Sequence, residues 1–124
     1  MVLVVDRVYK ATIQRVIDGD TMVVRVFSIA DAGFGVRFSA EVTVTIRLAG
    51  VDTPETFGVK RDSEEATRGR AATAAAKEWF DAHPSFCIDT SEGRGKYGRW
   101  IARVFDGDDD LGESLVAGGF AVRL

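Results

Sequence analysis

The sequence predicts a mainly β, α+β domain: a five-stranded barrel with one main helix after the third strand and a short helix near the C-terminus. Three observations predict it. Residues 8–48 carry three stretches rich in β-branched and aromatic residues that alternate with period two. Residues 63–80 change to the helical period. Two short apolar stretches, Phe86–Ile88 and Trp100–Phe105, then return to the strand pattern. The 124 residues fit one domain, 1–124, and a composition 46% hydrophobic and 28% charged suits a single packed core.

The first strand is expected over Val8–Ile17, closed by Asp18-Gly19, a dipeptide that favours hairpin turns. Thr21–Ile29 reads as the second strand, with Met22, Val24 and Val26 on one face. Ala30–Gly35 reads as a loop, and Val36–Leu48 as the third strand, with Val42, Val44, Ile46 and Leu48 alternating. Ser63 is the expected N-cap of the helix, with Glu64 and Glu65 in its first turn where the helix dipole favours acids. Ala72, Ala75, Ala76, Trp79 and Phe80 form its apolar stripe, and Pro84 prevents continuation. Gly112–Gly118 suits a short second helix with Leu115 and Val116 inward. The order β-β-β-α-β-β-α, with five strands and a helix after the third, is that of an OB-fold-like, partly open barrel.

Bulk properties exclude several classes. No apolar run reaches membrane-spanning length, and the N-terminus lacks the basic, long-apolar and small-residue regions of a signal peptide, so a cytoplasmic protein without a membrane partner is expected. A single cysteine, Cys87, permits no intrachain disulfide, and with one histidine it cannot form a Cys/His metal cage. Cys87 reads as a buried core residue, His83 as a surface residue at the helix C-terminus, and Asp106–Asp110 as a solvated turn. The net charge of −3 argues against a nucleic-acid partner, yet Arg94, Lys96, Arg99 and Arg103 cluster, as do Lys60, Arg61, Arg68 and Arg70, and a local field can oppose the net one.

Three segments carry chemistry. In Asp18-Gly19-Asp20-Thr21 the turn accounts for Asp18-Gly19 but not for Asp20, whose carboxylate at a strand start would be a rigid oxygen ligand for a hard cation. In Arg47-Leu48-Ala49-Gly50-Val51-Asp52-Thr53-Pro54-Glu55-Thr56, a strand end and turn explain Gly50 and Pro54; Asp52 and Glu55 can face one point beside Arg47. Acids that hold metal and water beside a guanidinium that grips phosphate form the set a phosphodiester needs. Gly93-Arg94-Gly95-Lys96-Tyr97-Gly98-Arg99-Trp100 is either a solvated hairpin or a basic, aromatic turn that tracks a nucleic-acid backbone.

Together, Asp18-Gly19-Asp20-Thr21, Arg47-Leu48 with Val51-Asp52-Thr53-Pro54-Glu55-Thr56, and Lys96-Tyr97-Gly98-Arg99 resemble the three signatures of the staphylococcal nuclease (thermonuclease) family. The likeness runs from about Thr12 to Val122 and includes the Ser63–Phe80 helix and Glu113–Val116. It implies a calcium-dependent endonuclease acting on single-stranded DNA or RNA. One Ca2+ would be held by Asp20, Asp52 and the backbone carbonyl of Thr53. Glu55 would orient the attacking water, Arg47 and Arg99 would bind phosphate, and Lys96 and Tyr97 would contact the nucleotide. The alternatives are a catalytically inactive OB-fold module that binds nucleic acid, or a protein-interaction domain. A degenerate copy should have lost an acid or an arginine, and here all five of Asp20, Arg47, Asp52, Glu55 and Arg99 are present.

The chain departs from the family pattern in three places. It ends at Leu124, where relatives usually continue into aromatic nucleotide contacts and a final helix. The segment between Asp20 and Arg47 is longer than usual and contains Phe27, Phe34 and Phe38, which could lengthen the hairpin, touch substrate or meet another subunit; packing is the expected role. Gly95 stands where an acid often precedes Lys-Tyr-Gly-Arg. A monomer is expected, with a homo-oligomer through the aromatic insert as the alternative.

Overall fold

The computed structural model describes residues 7–55, 60 and 62–124, with the side chains at 29–32 and 97 not described. Thr56 and Arg61, singled out above, and the side chain of Tyr97 lie outside the described set.

Strand β1 (Val8–Asp18) pairs antiparallel with β2 (Thr21–Gly33), and β2 with β3 (Val36–Leu48). After β4 (Val51–Asp52) and helix α1 (Glu64–Ala82), β5 (Phe86–Asp89) adds to the free edge of β1. Strand β6 (Trp100–Asp106) pairs antiparallel with β5 and parallel with β3, through Ile46↔Trp100 to Leu48↔Ala102. That last pairing closes β3-β2-β1-β5-β6 into a five-stranded barrel, the OB-fold-like architecture expected.

Closure needs strongly coiled strands. In β1 the register shifts between Ile13 and Arg15 and again between Val16 and Asp18, two bulges that increase local twist. The predicted inward face of β2 is buried (Met22, Val24, Val26), as are Ile46, Leu48, Phe86, Ile88, Ala102 and Val104 from the other strands. Helix α1 starts where Ser63 accepts a hydrogen bond from the Ala66 N–H at 3.1 Å and ends before Pro84, with His83 as its C-cap. It buries Ala66, Gly69, Ala72, Ala76, Trp79 and Phe80, leaving Ala75 partly exposed. The residues that its N-terminal half buries, Ala66, Gly69 and Ala72, are all small, so the helix backbone can approach the β1–β2 turn closely. Helix α2 (Leu111–Ala117) is capped by Asp110, which accepts from the Glu113 N–H, and buries Leu111 and Leu115.

Several expectations are corrected. Ala30–Gly35 is not a loop: β2 runs to Gly33 and β3 begins at Val36, joined by a two-residue turn. Phe34 (φ 58°) and Gly35 (φ 71°) both lie in the left-handed region, the geometry that matches strand twist and continues a hairpin to its tip. The aromatics of this insert do not pack: Phe27, Phe34 and Phe38 are all exposed, and so is Val42. His83 caps α1 as expected but is only partly exposed. Its ring stacks on Trp79 at 4.0 Å, and its Nε2 lies 2.9 Å from Asp109. Asp109 also accepts from Trp79 Nε1 and Ser114 Oγ, so Asp106–Asp110 includes structural acids rather than only a solvated turn. Cys87 is partly exposed, because β5 turns only Phe86 and Ile88 inward.

Besides the two-residue β4, three further elements were too short for periodicity to find. Strand β7 (Asp109–Asp110) extends the sheet beside β6, and Lys96–Gly98 forms one 3-10 turn. The third, β8 (Val122–Arg123), pairs with β4, matching Val51 with Arg123 and Asp52 with Val122. Arg123 also forms a double hydrogen bond to Glu113, tying this strand to α2.

Candidate active site

The site forms where the β1–β2 turn, the end of β3 and the start of β6 meet at one rim of the barrel. The bulge at the end of β1 lies directly before the Asp18–Asp20 turn, and both acids point inward, only 9% and 6% exposed. Gly19 between them has no room for a side chain. A Cβ there would sit 2.9 Å from both Ala72 Cβ of α1 and Thr53 Cγ2. The turn, the helix and the β4 exit are therefore packed against one another.

Asp20 is the hub. Its carboxylate accepts from the Thr53 N–H at 3.1 Å and from Thr21 Oγ1 at 3.2 Å, and lies 3.3 Å from Arg47 Nη1. Its own carbonyl accepts from the Leu48 N–H at 2.8 Å, fixing the turn to the end of β3. Arg47 reaches a second acid as well: Nη2 bonds to Asp52 at 3.2 Å, while Nη1 also donates to the carbonyls of Leu48 and Val51 at 3.0 Å. Asp52 is set by its pairing with β8 and stays half-exposed, whereas Thr53 is buried. Arg99, between the 3-10 turn and the first residue of β6, donates to Thr21 Oγ1 at 3.4 Å and is thereby brought beside Asp20 and Arg47.

Glu55 is exposed and shares with Asp52 a groove of about 460 Å3 that continues past Pro54, Glu65, Arg68 and Phe120. Lys96 is exposed in its 3-10 turn, away from any ion pair among the described residues. Arg94 lies 5.0 Å from the Trp100 ring centroid, on the wall of a second, smaller groove that includes Arg99 and Thr45. Among the expected site residues, then, Asp20, Arg47, Asp52 and Thr53 converge through direct contacts, Arg99 joins them through Thr21, and Glu55 borders them.

Sequence reasoning missed Asp18 and Arg68. In the sequence the turn alone accounts for Asp18, although an acid two residues before Asp20 is a visible signal. Its carboxylate accepts from the Asp20 N–H at 3.1 Å and orients the hub from behind. Arg68 lies on α1, one turn from the N-terminus, and nothing in its helical spacing marks it as facing the groove.

The two acids have opposite electrostatics. Burial, followed by the hydrogen bond and charge of neighbouring Asp20, pushes the Asp18 carboxyl up to about 6. Burial acts the same way on Asp20, but hydrogen bonds from Asp18 and Thr53 together with the Arg47 charge outweigh it and hold Asp20 below its ordinary value. The pair thus retains a proton to higher pH than an isolated aspartate would.

Stability follows from this proton. The folded chain keeps Asp18 protonated up to about pH 6, whereas the unfolded chain releases that proton near 3.8. The folded state binds more protons in that window, so this group's contribution to stability falls as pH rises through it. Asp18→Asn keeps an oxygen for the Asp20 N–H and carries no charge. It is expected to stabilise the metal-free protein at neutral pH by on the order of 1–2 kcal/mol, after discounting for solvent screening, with a much smaller gain near pH 4. Thermal melts in chelator at the two pH values test this; equal gains at both would contradict it.

With this geometry in place, comparison with known proteins is decisive. Residues 45–124 match the family model described as staphylococcal nuclease homologue. The chain belongs to the staphylococcal nuclease family. It is 34% identical over 109 residues to a thermonuclease from Staphylococcus intermedius, an alignment covering 88% of this chain and 56% of that protein. The chain therefore spans little more than half the length of that relative. The family model covers Arg47, Asp52, Glu55 and Arg99 and begins after the Asp18–Asp20 turn.

The donor chemistry of this staphylococcal nuclease homologue suits a hard cation. Among the described residues no three His, Cys, Asp or Glu side chains gather into a metal-binding group. The oxygen groups that meet are two carboxylates, Asp20 and Asp52, which share the Arg47 guanidinium, while Thr53 contributes its backbone N–H to Asp20. Carboxylate oxygens are the ligand type that a hard cation such as calcium takes.

Proposed function

We propose that this chain is a calcium-dependent endonuclease that hydrolyses phosphodiester bonds in single-stranded DNA or RNA. The observation that carries the reading is the meeting of Asp20, Arg47, Asp52 and Arg99 at one rim, from three segments far apart in sequence, with Arg47 within hydrogen-bond distance of both acids.

Asp20, Asp52 and the Thr53 carbonyl would hold one Ca2+. Bound there, the ion supplies Lewis-acid polarisation of a phosphoryl oxygen. The remaining work belongs to the side chains. Glu55, exposed at the groove, accepts a proton from the attacking water and aims it at phosphorus. Arg47 and Arg99 present planar forks to the phosphate oxygens and stabilise the charge that builds in the transition state. Arg47 is held by the Leu48 and Val51 carbonyls, so its guanidinium is already in place when phosphate arrives. Lys96 and Tyr97 are assigned to the nucleotide beyond the scissile bond. Asp18 keeps Asp20 oriented through the backbone bond described above.

Cleavage of single-stranded DNA and RNA, with calcium or with chelator, tests the proposal. Cleavage is expected only with calcium, and Glu55→Gln is expected to slow it by roughly 10²–10⁴-fold without loss of folding. Full activity in chelator, or a Glu55→Gln protein as fast as the native chain, would overturn the assigned site. Retained strand binding with no cleavage under any condition would instead support a nucleic-acid-binding module.

A further inference from the structure

Beyond Val26 and Val42 the β2–β3 hairpin leaves the barrel as a bare ribbon. The last β1 pairing with β2 is Lys10↔Phe27, and β6 meets β3 only from Ile46 onward. The hairpin continues to its tip at Phe34, roughly 20 Å farther at about 3.3 Å per residue. Among the described residues no strand pairs with the outer edge of β3 from Val36 to Thr43, and every one of those residues is exposed. A two-stranded ribbon in water is marginal by itself, and a free edge of this length is a template for another strand.

The side chains along that edge select the strand. The charged residues on Val36–Thr43 are Arg37 and Glu41, four apart and therefore on one face. The apolar Val36, Phe38 and Val42 occupy the other face, with Phe38 60% and Val42 55% exposed. We propose that β3 pairs antiparallel with β3 of a second copy of this chain about a two-fold axis at Ser39, forming a homodimer with a continuous four-stranded sheet β2-β3-β3-β2.

In this register Arg37 faces the second copy's Glu41, and Glu41 faces the second copy's Arg37. Val36 lies opposite Val42, and Phe38 opposite Ala40, in both directions. The two Phe38 rings become diagonal neighbours across the axis, about 7–8 Å apart and within reach of each other. Moving the axis by one residue toward either end sets Arg37 opposite Ser39 or Glu41 opposite Ser39, and the charge match is lost. Within each chain Arg25 already lies 2.8 Å from Glu41, so the acid would sit between two guanidinium groups in a charge ladder across the sheet. An edge protected against self-association would carry charges of one sign; this one carries both, at a spacing that is complementary to itself. The pairing replaces the monomer expected from the sequence, and it leaves the rim with Asp20 and Arg47 open.

Analytical ultracentrifugation of the full chain is expected to show the dimer mass. Arg37→Glu sets acid against acid at both pairs and is expected to halve that mass. Combining it with Glu41→Arg restores opposite charges between copies while opposing Arg25 within each chain, so recovery of the dimer can come only from the intermolecular pairing. Ser39→Cys, with Cys87→Ser as background, is expected to cross-link two copies under mild oxidation, because facing residues of an antiparallel pair lie about 4.5–5.5 Å apart. A native chain that is monomeric at all concentrations overturns the proposal. So does a dimer that survives Arg37→Glu unchanged and yields no Ser39→Cys cross-link.

Discussion

Replacing Arg99 with alanine is expected to lower the rate of calcium-dependent strand cleavage by roughly 10²–10³-fold, the cost of losing one preorganised donor to the developing charge. The side chain enters the site from the residue just before β6 and is held near Asp20 through Thr21 Oγ1. It belongs to the loop-strand junction and not to the core, so the variant should fold and still bind strands. Arg99→Lys separates charge from shape. If the planar fork is what matters, lysine recovers little of the lost rate, since an ammonium cannot grip two phosphate oxygens at once. Steady-state rates on a single-stranded substrate decide it, and the loss should fall mainly on kcat. An Arg99→Ala protein within a few-fold of native would remove Arg99 from the proposed chemistry.

The largest expected loss of stability comes from Phe86→Ala. Phe86 is 2% exposed and lies between α1 and the barrel, with ring centroids 5.0 Å from Phe80 and 6.1 Å from Trp79. Truncation removes buried area and leaves a cavity between two elements that cannot collapse together, a cost of about 3–5 kcal/mol. Against a typical total of about 5–15 kcal/mol, much of the stability would go. For a domain of this size the melting temperature should fall by about 10–20 °C. Chemical denaturation read by the tryptophans gives the same comparison, with Phe86→Leu expected to lose far less. The Phe86 cluster gathers at the C-terminal end of α1, whereas Ala72 faces the Asp18–Asp20 turn. Below its lowered melting temperature the variant should therefore keep the native rate, which would separate what holds the fold from what performs the reaction.

Much of this molecule was legible before any coordinates. Period-two alternation located the first three strands because one face of each must be buried, and Met22, Val24, Val26, Ile46 and Leu48 are that face. Ser63 and Pro84 marked the ends of α1, since capping and the missing proline N–H act locally. The family could be read from three short segments. The hairpin insert was harder. Gly33 and Gly35 suggested a loop, yet two left-handed residues in succession are also what a tight hairpin turn requires, and only strand pairing distinguishes the two.

What the chain determined by itself was therefore local: which stretches alternate, where the helix begins and ends, and which residue types are available for chemistry. What the tertiary structure decided was proximity. Asp18 and Asp20 became an unequal pair because folding buried both and gave only Asp20 the Thr53 N–H and Arg47. Asp52 reached the site through the pairing of β4 with β8, two residues against two, too short to leave a periodic trace. His83, stacked on Trp79 of its own helix, is held half-buried because Asp109 of β7 meets it from across the sequence. The reason is the same in each case. Burial, pKa and ion pairing depend on distances between segments remote in sequence, and those distances exist only once the barrel closes through β3 and β6.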